Sequence, residues 1–501
     1  MIIADRSDVN AAPAVRIARA ISVAAAIVGL AAALYYARLG LTLSHYDAKG
    51  HLVVARRVID SLTPGWQQIG AVWLPLPHLL NLLPVQIDAL YRSGASAIAV
   101  SILSAAGAAY ALAAAIERTR GAAVPAAAAA AIVALNPNTL YLQSTPMTEP
   151  LLLGTMLLSV LFVREWADGA PTGRRAGPML FLACWTRYEA WPVTGALLAL
   201  GAAARVRRGE PVARVLRATA RLAAWPAAAG ALFLLLSRIT VGAWFVASGF
   251  FVAENPALND PVRAAAQVFG GAVTVAGLPL VLAGCAGALA IAAAAVTRRE
   301  RASTLVLLAP LAASALPFYA FVQGHPYRVR YMVVHIASLA LASCGALALL
   351  PRMLAAIAAA ALVSLTLYAR PPLDDRAAMV REAQWDRPNA AARRAVTAYL
   401  RERWDGEPIM ASMGSLGHYM QELSHAGIDI AGFLHEGNGD LWKAALEDPA
   451  PHVQWILVEE KAEGGDMLAA RARRDPAFLS HYVRAASGGG VALYVRTARR
   501  S

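Results

Sequence analysis

Charge is scarce in this 501-residue chain: Asp, Glu, Lys and Arg together make up 15% of it, against roughly 25% in an ordinary soluble domain. That excludes a protein that is soluble throughout. Cysteine is scarcer still. Cys184, Cys285 and Cys344 all lie in apolar segments without partner spacing, so neither a disulfide framework nor a zinc site is supported. The 28 prolines and 37 glycines follow no period, which rules out collagen-like and low-complexity readings. No repeat of fixed length appears either, so solenoids are excluded. What the chain has in excess is apolar residues, 58% of the total, and that excludes disorder. Lys plus Arg (45) against Asp plus Glu (32) gives a net charge of +13. In a soluble protein this surplus would suggest nucleic acid, but here most of it lies between apolar runs, so no nucleic-acid partner is expected.

A spanning helix needs about 20 mainly apolar residues, and the chain offers eleven such runs: 16–37, 95–116, 122–142, 149–165, 177–188, 190–204, 219–237, 269–296, 303–322, 331–350 and 353–369. The fifth and sixth are short and read as a helical hairpin that only partly crosses. Basic clusters mark the cytoplasmic loops. Arg16 and Arg19, Arg118 and Arg120, Arg174 and Arg175, Arg205 with Arg207 and Arg208, Arg298 with Arg299 and Arg301, and Arg352 all fall on one side. The expected topology has a cytoplasmic N-terminus and places loops 38–94, 143–148, 238–268 and 323–330 outside, with everything after Arg370. The first run, preceded by Arg16 and Arg19, reads as an uncleaved anchor rather than a signal peptide.

From Pro371 onward the composition becomes that of a soluble domain. An amphipathic helix is predicted over 388–404, with strands at 407–413, 452–460 and 491–497, the last following a Gly488-Gly489-Gly490 turn. The fold class is therefore a polytopic α-helical membrane protein, 1–370, with a small extracytoplasmic α/β domain, 371–501. Gly414-Ser415-Leu416-Gly417-His418 follows a strand but lacks the glycine spacing and lysine of a phosphate loop, so it reads as an ordinary strand-to-helix turn. The domain is expected to recognise an acceptor or act as a lid.

Polar groups gather at the outer ends of the spans. The first outer loop carries Asp47, His51, Arg56, Arg57, Trp73 and His78. A carboxylate at the membrane surface can take a proton from a hydroxyl, and neighbouring cations can neutralise a phosphate leaving group. Residues 52–60 read as a helix with one apolar face and Arg56 and Arg57 at its side, lying in the membrane interface. Glu149, after Thr148 and before Pro150, suits a helix start; it also stands at the depth of Asp47. Two such acids can share a divalent cation or divide base and ligand roles, so a metal is left open. Arg187 and Glu189 lie between short apolar runs, where they are costly unless paired or facing water. They are read evenly as a functional pair or as a staple between half-spans. Arg328, Arg330 and Tyr331 open the tenth run on the outer side, where arginines beside a helix N-terminus can bind an anion such as a lipid phosphate. The loop 238–268, with Trp244, Phe245, Phe250, Phe251 and Glu254, can close over a lipid or sugar or lie flat as an interfacial helix.

Asp47 just after the first span, Trp73-Leu74-Pro75-Leu76-Pro77, Thr148-Glu149-Pro150, Arg187-Tyr188-Glu189 and Arg330-Tyr331 occur in the order found in the GT-C superfamily of membrane glycosyltransferases. The chain most resembles the bacterial relatives of protein O-mannosyltransferases and aminoarabinose lipid A transferases. The resemblance implies inverting transfer of a sugar from a polyprenyl-phosphate donor to a hydroxyl of a lipid, glycan or protein acceptor at the outer face of the cytoplasmic membrane. It implies Asp47 as general base, Glu149 as the second acid, and Arg330 with Arg328 on the carrier phosphate; Arg56 and Arg57, the cations near Asp47, are read as further phosphate-binding residues. His51, Trp73, His78, Arg187, Glu189 and Tyr331 would line the substrate cavity. Two departures stand out: Asp47 is followed by Ala48 where many relatives have a second acid, and Leu76-Pro77-His78 replaces a Lys-Pro-Pro. The alternative is a multi-span transporter or lipid flippase; against it, no pair of related halves with broken midplane helices is visible.

Overall fold

The computed structural model describes residues 8–170, 173–246, 255–461 and 465–497. Among them, eight helices are long and apolar enough to cross a membrane: Arg16–Arg38, Ala95–Glu117, Glu149–Ala167, Val212–Val241, Leu278–Thr297, Arg301–Val322, Val329–Leu347 and Arg352–Ala369. The chain is a multi-pass membrane protein. Each of the eight falls on one of the eleven apolar runs. The remaining three runs are helical but shorter or more polar. Run 122–142 is cut at Asn136-Pro137 into Ala123–Leu135 and Pro137–Leu142. Thirteen helical residues reach only about 20 Å, short of a ~30 Å hydrocarbon core. Runs 177–188 and 190–204 become Gly173–Cys184 and Ala190–Arg207, joined by the turn that carries Arg187 and Glu189. Run 269–296 is broken too. Gly277, at φ 83°, with Pro279 behind it, ends the helix Pro261–Ala276 and starts Leu278–Thr297.

The chain packs into two compact units, one of Met1–Arg38, Ile98–Phe233 and Phe251–Arg381, the other of Leu39–Ala97, Leu234–Phe250 and Glu382–Ser501. In the first, Glu149–Ala167 and Val329–Leu347 are the most enclosed spans, whereas Arg16–Arg38, Val212–Val241 and Arg352–Ala369 expose most of their apolar surface. Close approach needs small residues: a Cβ on Gly287 would lie 2.4 Å from the Ala342 carbonyl oxygen, so the facing helices meet backbone to backbone.

Basic residues from several loops meet at one end of this unit. Arg118 and Arg208 both pair with Asp168, Arg118 also reaches Glu165 at 3.4 Å, and Arg120 donates to the Leu349 carbonyl at 3.0 Å. Arg207 donates to the Ala295 carbonyl at 2.8 Å. Glu149 and Val329 open helices whose far ends, Ala167 and Leu347, lie at this basic end. Their first residues therefore share the opposite one.

The second unit is built on a five-stranded sheet of order β2-β1-β3-β5-β4, with β1 Ile409–Ala411, β2 Phe433–Leu434, β3 Trp455–Glu459, β4 Tyr482–Gly488 and β5 Val491–Arg496. β1 runs parallel to β2 and β3, and β5 antiparallel to β3 and β4. Side chains alternate between faces. Met410, Ile456 and Val458 pack with Trp442, Leu468 and Phe478 on one side. Ile409, Ala411, Leu457 and Leu493 pack on the other against Leu52, Val53, Ala55, Val85 and Tyr91.

That second face corrects the expectation of an interfacial helix at 52–60. The helix runs Tyr46–Arg56, and its apolar stripe is spent on the sheet of its own unit, each buried Leu or Val contributing about 1.5–3 kcal/mol. Phe250, Phe251 and Glu254 of the aromatic loop lie outside the described residues.

Candidate functional site

In the membrane unit the polar groups centre on Arg187. Its Nη1 lies 2.9 Å from Glu149 Oε1 and donates to Thr148 Oγ1 at 3.0 Å, while Nη2 donates to Glu189 Oε1 at 2.7 Å. Nε adds bonds of 3.0 and 3.2 Å to the two Glu189 oxygens. One guanidinium thus spans two carboxylates, both about as buried as any side chain here: 2% exposed for Glu149 and 3% for Glu189. Such a burial is tolerated only because the charges are paired. Thr148 does not cap the helix that Glu149 opens; its hydroxyl is taken by Arg187. Glu149 also lines a cavity of about 20 Å³ with Gln143, Pro150 and Val333.

Arg330 and Tyr331 lie on the tight turn Val329–Met332, with Arg328 immediately before it, and this turn leads into the helix after Val333. The Arg330 guanidinium stands 5.6 Å from the Tyr331 ring centre, and its charge acts on Arg187. Tyr331 and His325 are linked through OH and Nε2 at 3.4 Å. Of the expected residues, then, Glu149, Arg187 and Glu189 form one cluster, and Arg330 and Tyr331 lie on the turn that opens a helix at the same end of the membrane unit.

The other expected residues belong to the second unit. Asp47 is in the first turn of helix Tyr46–Arg56, its backbone N–H donated to His45 Nδ1 at 3.0 Å. Arg56 is committed to carboxylates: Nε to Asp60 at 2.7 Å, Nη1 to Asp88 at 2.7 Å and Nη2 to Asp429 at 3.2 Å. Arg57 is buried and donates to the Gln68 carbonyl. Burial pulls the Arg57 guanidinium down to about 10. Arg56 is thus taken up by three carboxylates and Arg57 is buried with its Nε on a carbonyl, so neither is open to a phosphate.

His51, Trp73 and His78 form a three-ring cluster, His51 4.1 Å from Trp73 and Trp73 5.9 Å from His78 between ring centres, with His51 Nδ1 and His78 Nε2 3.1 Å apart. Burial and the Arg57 charge push His78 down to about 3, and the same two causes push His435 down to about 3. Between pH 6.5, the ordinary histidine value, and about 3 the unfolded chain takes up protons that the folded unit refuses. Stability is therefore complete above about pH 6.5 and falls as the pH drops, by up to about 1.4 kcal/mol per pH unit for each histidine. The melting midpoint should fall between pH 7 and pH 5, and His78→Gln should make that slope shallower; an unchanged slope contradicts the assignment.

Sequence reasoning missed Tyr46 and His418, which meet in this unit with ring centres 4.7 Å apart. The Gly414–His418 turn was the visible signal, but nothing local named its partner. Among the described residues no three His, Cys, Asp or Glu side chains are placed to hold a metal ion.

No family profile and no curated protein sequence matches the chain. Solved structures do. ArnT from Cupriavidus metallidurans, crystallised with undecaprenyl phosphate, aligns with a TM-score of 0.56 at 13% identity over 94% of this chain and 98% of that one. The apo form of the same protein aligns with a TM-score of 0.54 at 13% identity, over 93% and 98%. This chain has an ArnT-like fold.

Proposed function

We propose that the protein is an inverting glycosyltransferase of the cytoplasmic membrane, using a polyprenyl-phosphate-linked sugar and a hydroxyl of a lipid, glycan or protein acceptor on the outer face. The observation that carries the reading is a fold likeness that runs nearly end to end over both chains, to a protein solved with undecaprenyl phosphate bound. In this reading residues 1–370 form the catalytic domain, residues 371–501 lie outside the cytoplasm, and the N-terminus lies inside.

Asp47 takes the proton of the acceptor hydroxyl as its oxygen attacks the anomeric carbon. The bond from that carbon to the phosphate oxygen breaks on the far side, so configuration inverts and polyprenyl phosphate leaves as a dianion. Arg330 and Arg328 neutralise it; the forked guanidinium suits phosphate oxygens. Arg56 and Arg57 are left out of this role because carboxylates and a carbonyl already hold them. Glu149 is the second acid, held with Glu189 by Arg187. Membrane lipids surround the apolar helices.

The test is release of free polyprenyl phosphate from a panel of polyprenyl-phosphate sugars by the purified protein in detergent, with a total membrane-lipid extract as acceptor. Arg330→Ala should raise the donor KM about tenfold or more, the usual cost of a charged hydrogen bond. Arg352→Ala, exposed and at the basic end, should stay within about twofold. Equal effects from the two would overturn the role given to Arg330.

A further inference from the structure

The turn Gly414-Ser415-Leu416-Gly417-His418 serves no purpose in the chemistry above, and it is more than a loop. It follows β1 at the carboxyl end of the parallel strands, on the side where the strand order switches between β1 and β3. What it holds is a neighbouring side chain of the same unit. Tyr46 donates its hydroxyl to the Gly414 carbonyl, and its ring lies against His418. Gly417 sits under that ring: a Cβ there would stand 2.9 Å from Tyr46 Cε2. His418 is itself fixed, Nδ1 on Glu459 Oε1 and Nε2 3.9 Å from Asp386. Glu459 in turn accepts from Ser415 Oγ at 3.0 Å.

A second tie lies one residue earlier. His45 caps the helix by accepting the Asp47 N–H, which makes Nδ1 the bare nitrogen and leaves Nε2 to donate toward Glu382, 3.4 Å away. The two residues immediately before Asp47 are thus each tied, His45 to Glu382 and Tyr46 through His418 to Glu459, and both ties end on carboxylates of the segment beyond residue 381. We propose that the Gly414–His418 turn, with Tyr46, His45 and His418, is a positioning device that fixes the first turn of the Asp47 helix. The inference rests on Asp47 being the base. Displacement of a reacting group by about 1 Å costs up to about a hundredfold in rate, so a clamp on the preceding residue has something to protect. None of these four groups is a catalytic residue here; they act through Asp47.

Two variants of the full-length protein test it. Tyr46→Phe removes the hydroxyl and keeps the ring, and Gly417→Ala pushes the ring without removing either partner. Each should speed amide exchange across residues 45–52 and lower kcat for polyprenyl phosphate release, both about tenfold, with donor KM within about twofold and the melting midpoint held. Exchange and kcat both within about twofold of the parent would overturn the proposal, as would a lowered midpoint with faster exchange throughout the sheet, the mark of a plain structural tie. Should Asp47→Asn turn over normally, the base reading fails; the exchange data then still report whether the clamp holds the turn.

Discussion

Asp47→Asn is expected to leave the protein folded and to lower sugar transfer by at least about a hundredfold, the lower end of what a positioned base supplies. The substitution keeps size and shape at a half-buried site in the first turn of a helix, where the backbone N–H is held by His45 and not by the carboxylate. It removes a negative charge from a helix N-terminus, an effect of about 0.3–1 kcal/mol by itself. Stability and turnover are thus separable at this residue. The checks are the melting midpoint and the rate of polyprenyl phosphate release measured on the same preparation, and near-normal release would remove Asp47 from the base role.

Arg187→Ala should have the opposite character, striking stability first. It leaves Glu149 and Glu189, 2% and 3% exposed, without their shared counter-charge. Removing one partner of a buried ion pair costs about 3–5 kcal/mol, and here two carboxylates lose the same cation. A large fall in the melting midpoint is expected, with loss of transfer. The triple variant Arg187→Met, Glu149→Gln, Glu189→Gln discharges the cluster as a whole and should recover most of the stability, since apolar or neutral replacements of a buried ion network are often close to neutral. It should not recover transfer. A triple variant that turns over normally would show that the cluster only staples the two helices Gly173–Cys184 and Ala190–Arg207.

Much of the membrane architecture was legible because apolar length is a local property. The run read at 16–37 is the helix Arg16–Arg38, and 353–369 is Arg352–Ala369. The failures occurred where one residue overrides a window average. Pro137 and the Gly277-Leu278-Pro279 sequence each break an otherwise continuous apolar run. In the second unit, β2 has two residues and β4, at a sheet edge, is exposed or half-buried after Tyr482, so neither produces an apolar run to detect.

The candidate site was legible in type and not in partnership. Arg187 and Glu189 were recognisable as costly charges between short apolar runs and Glu149 as an acid at a helix start, and Arg187 pairs with both acids. Arg56 and Arg57 looked like free cations beside an apolar stripe because Asp429, which binds Arg56, lies 373 residues away. The same holds for Tyr46 and Gly414, separated by 368 positions. Local pattern names a charged or aromatic side chain; only the fold says what satisfies it.

The most direct measurement is the anomeric configuration of the product formed when purified protein is given a polyprenyl-phosphate sugar and membrane-lipid acceptors, read by NMR alongside the released phosphate. An inverted product with one polyprenyl phosphate freed per sugar moved is the predicted result. An intact donor in detergent, together with gradient-driven movement of lipid or solute in sealed vesicles, would contradict the transferase account.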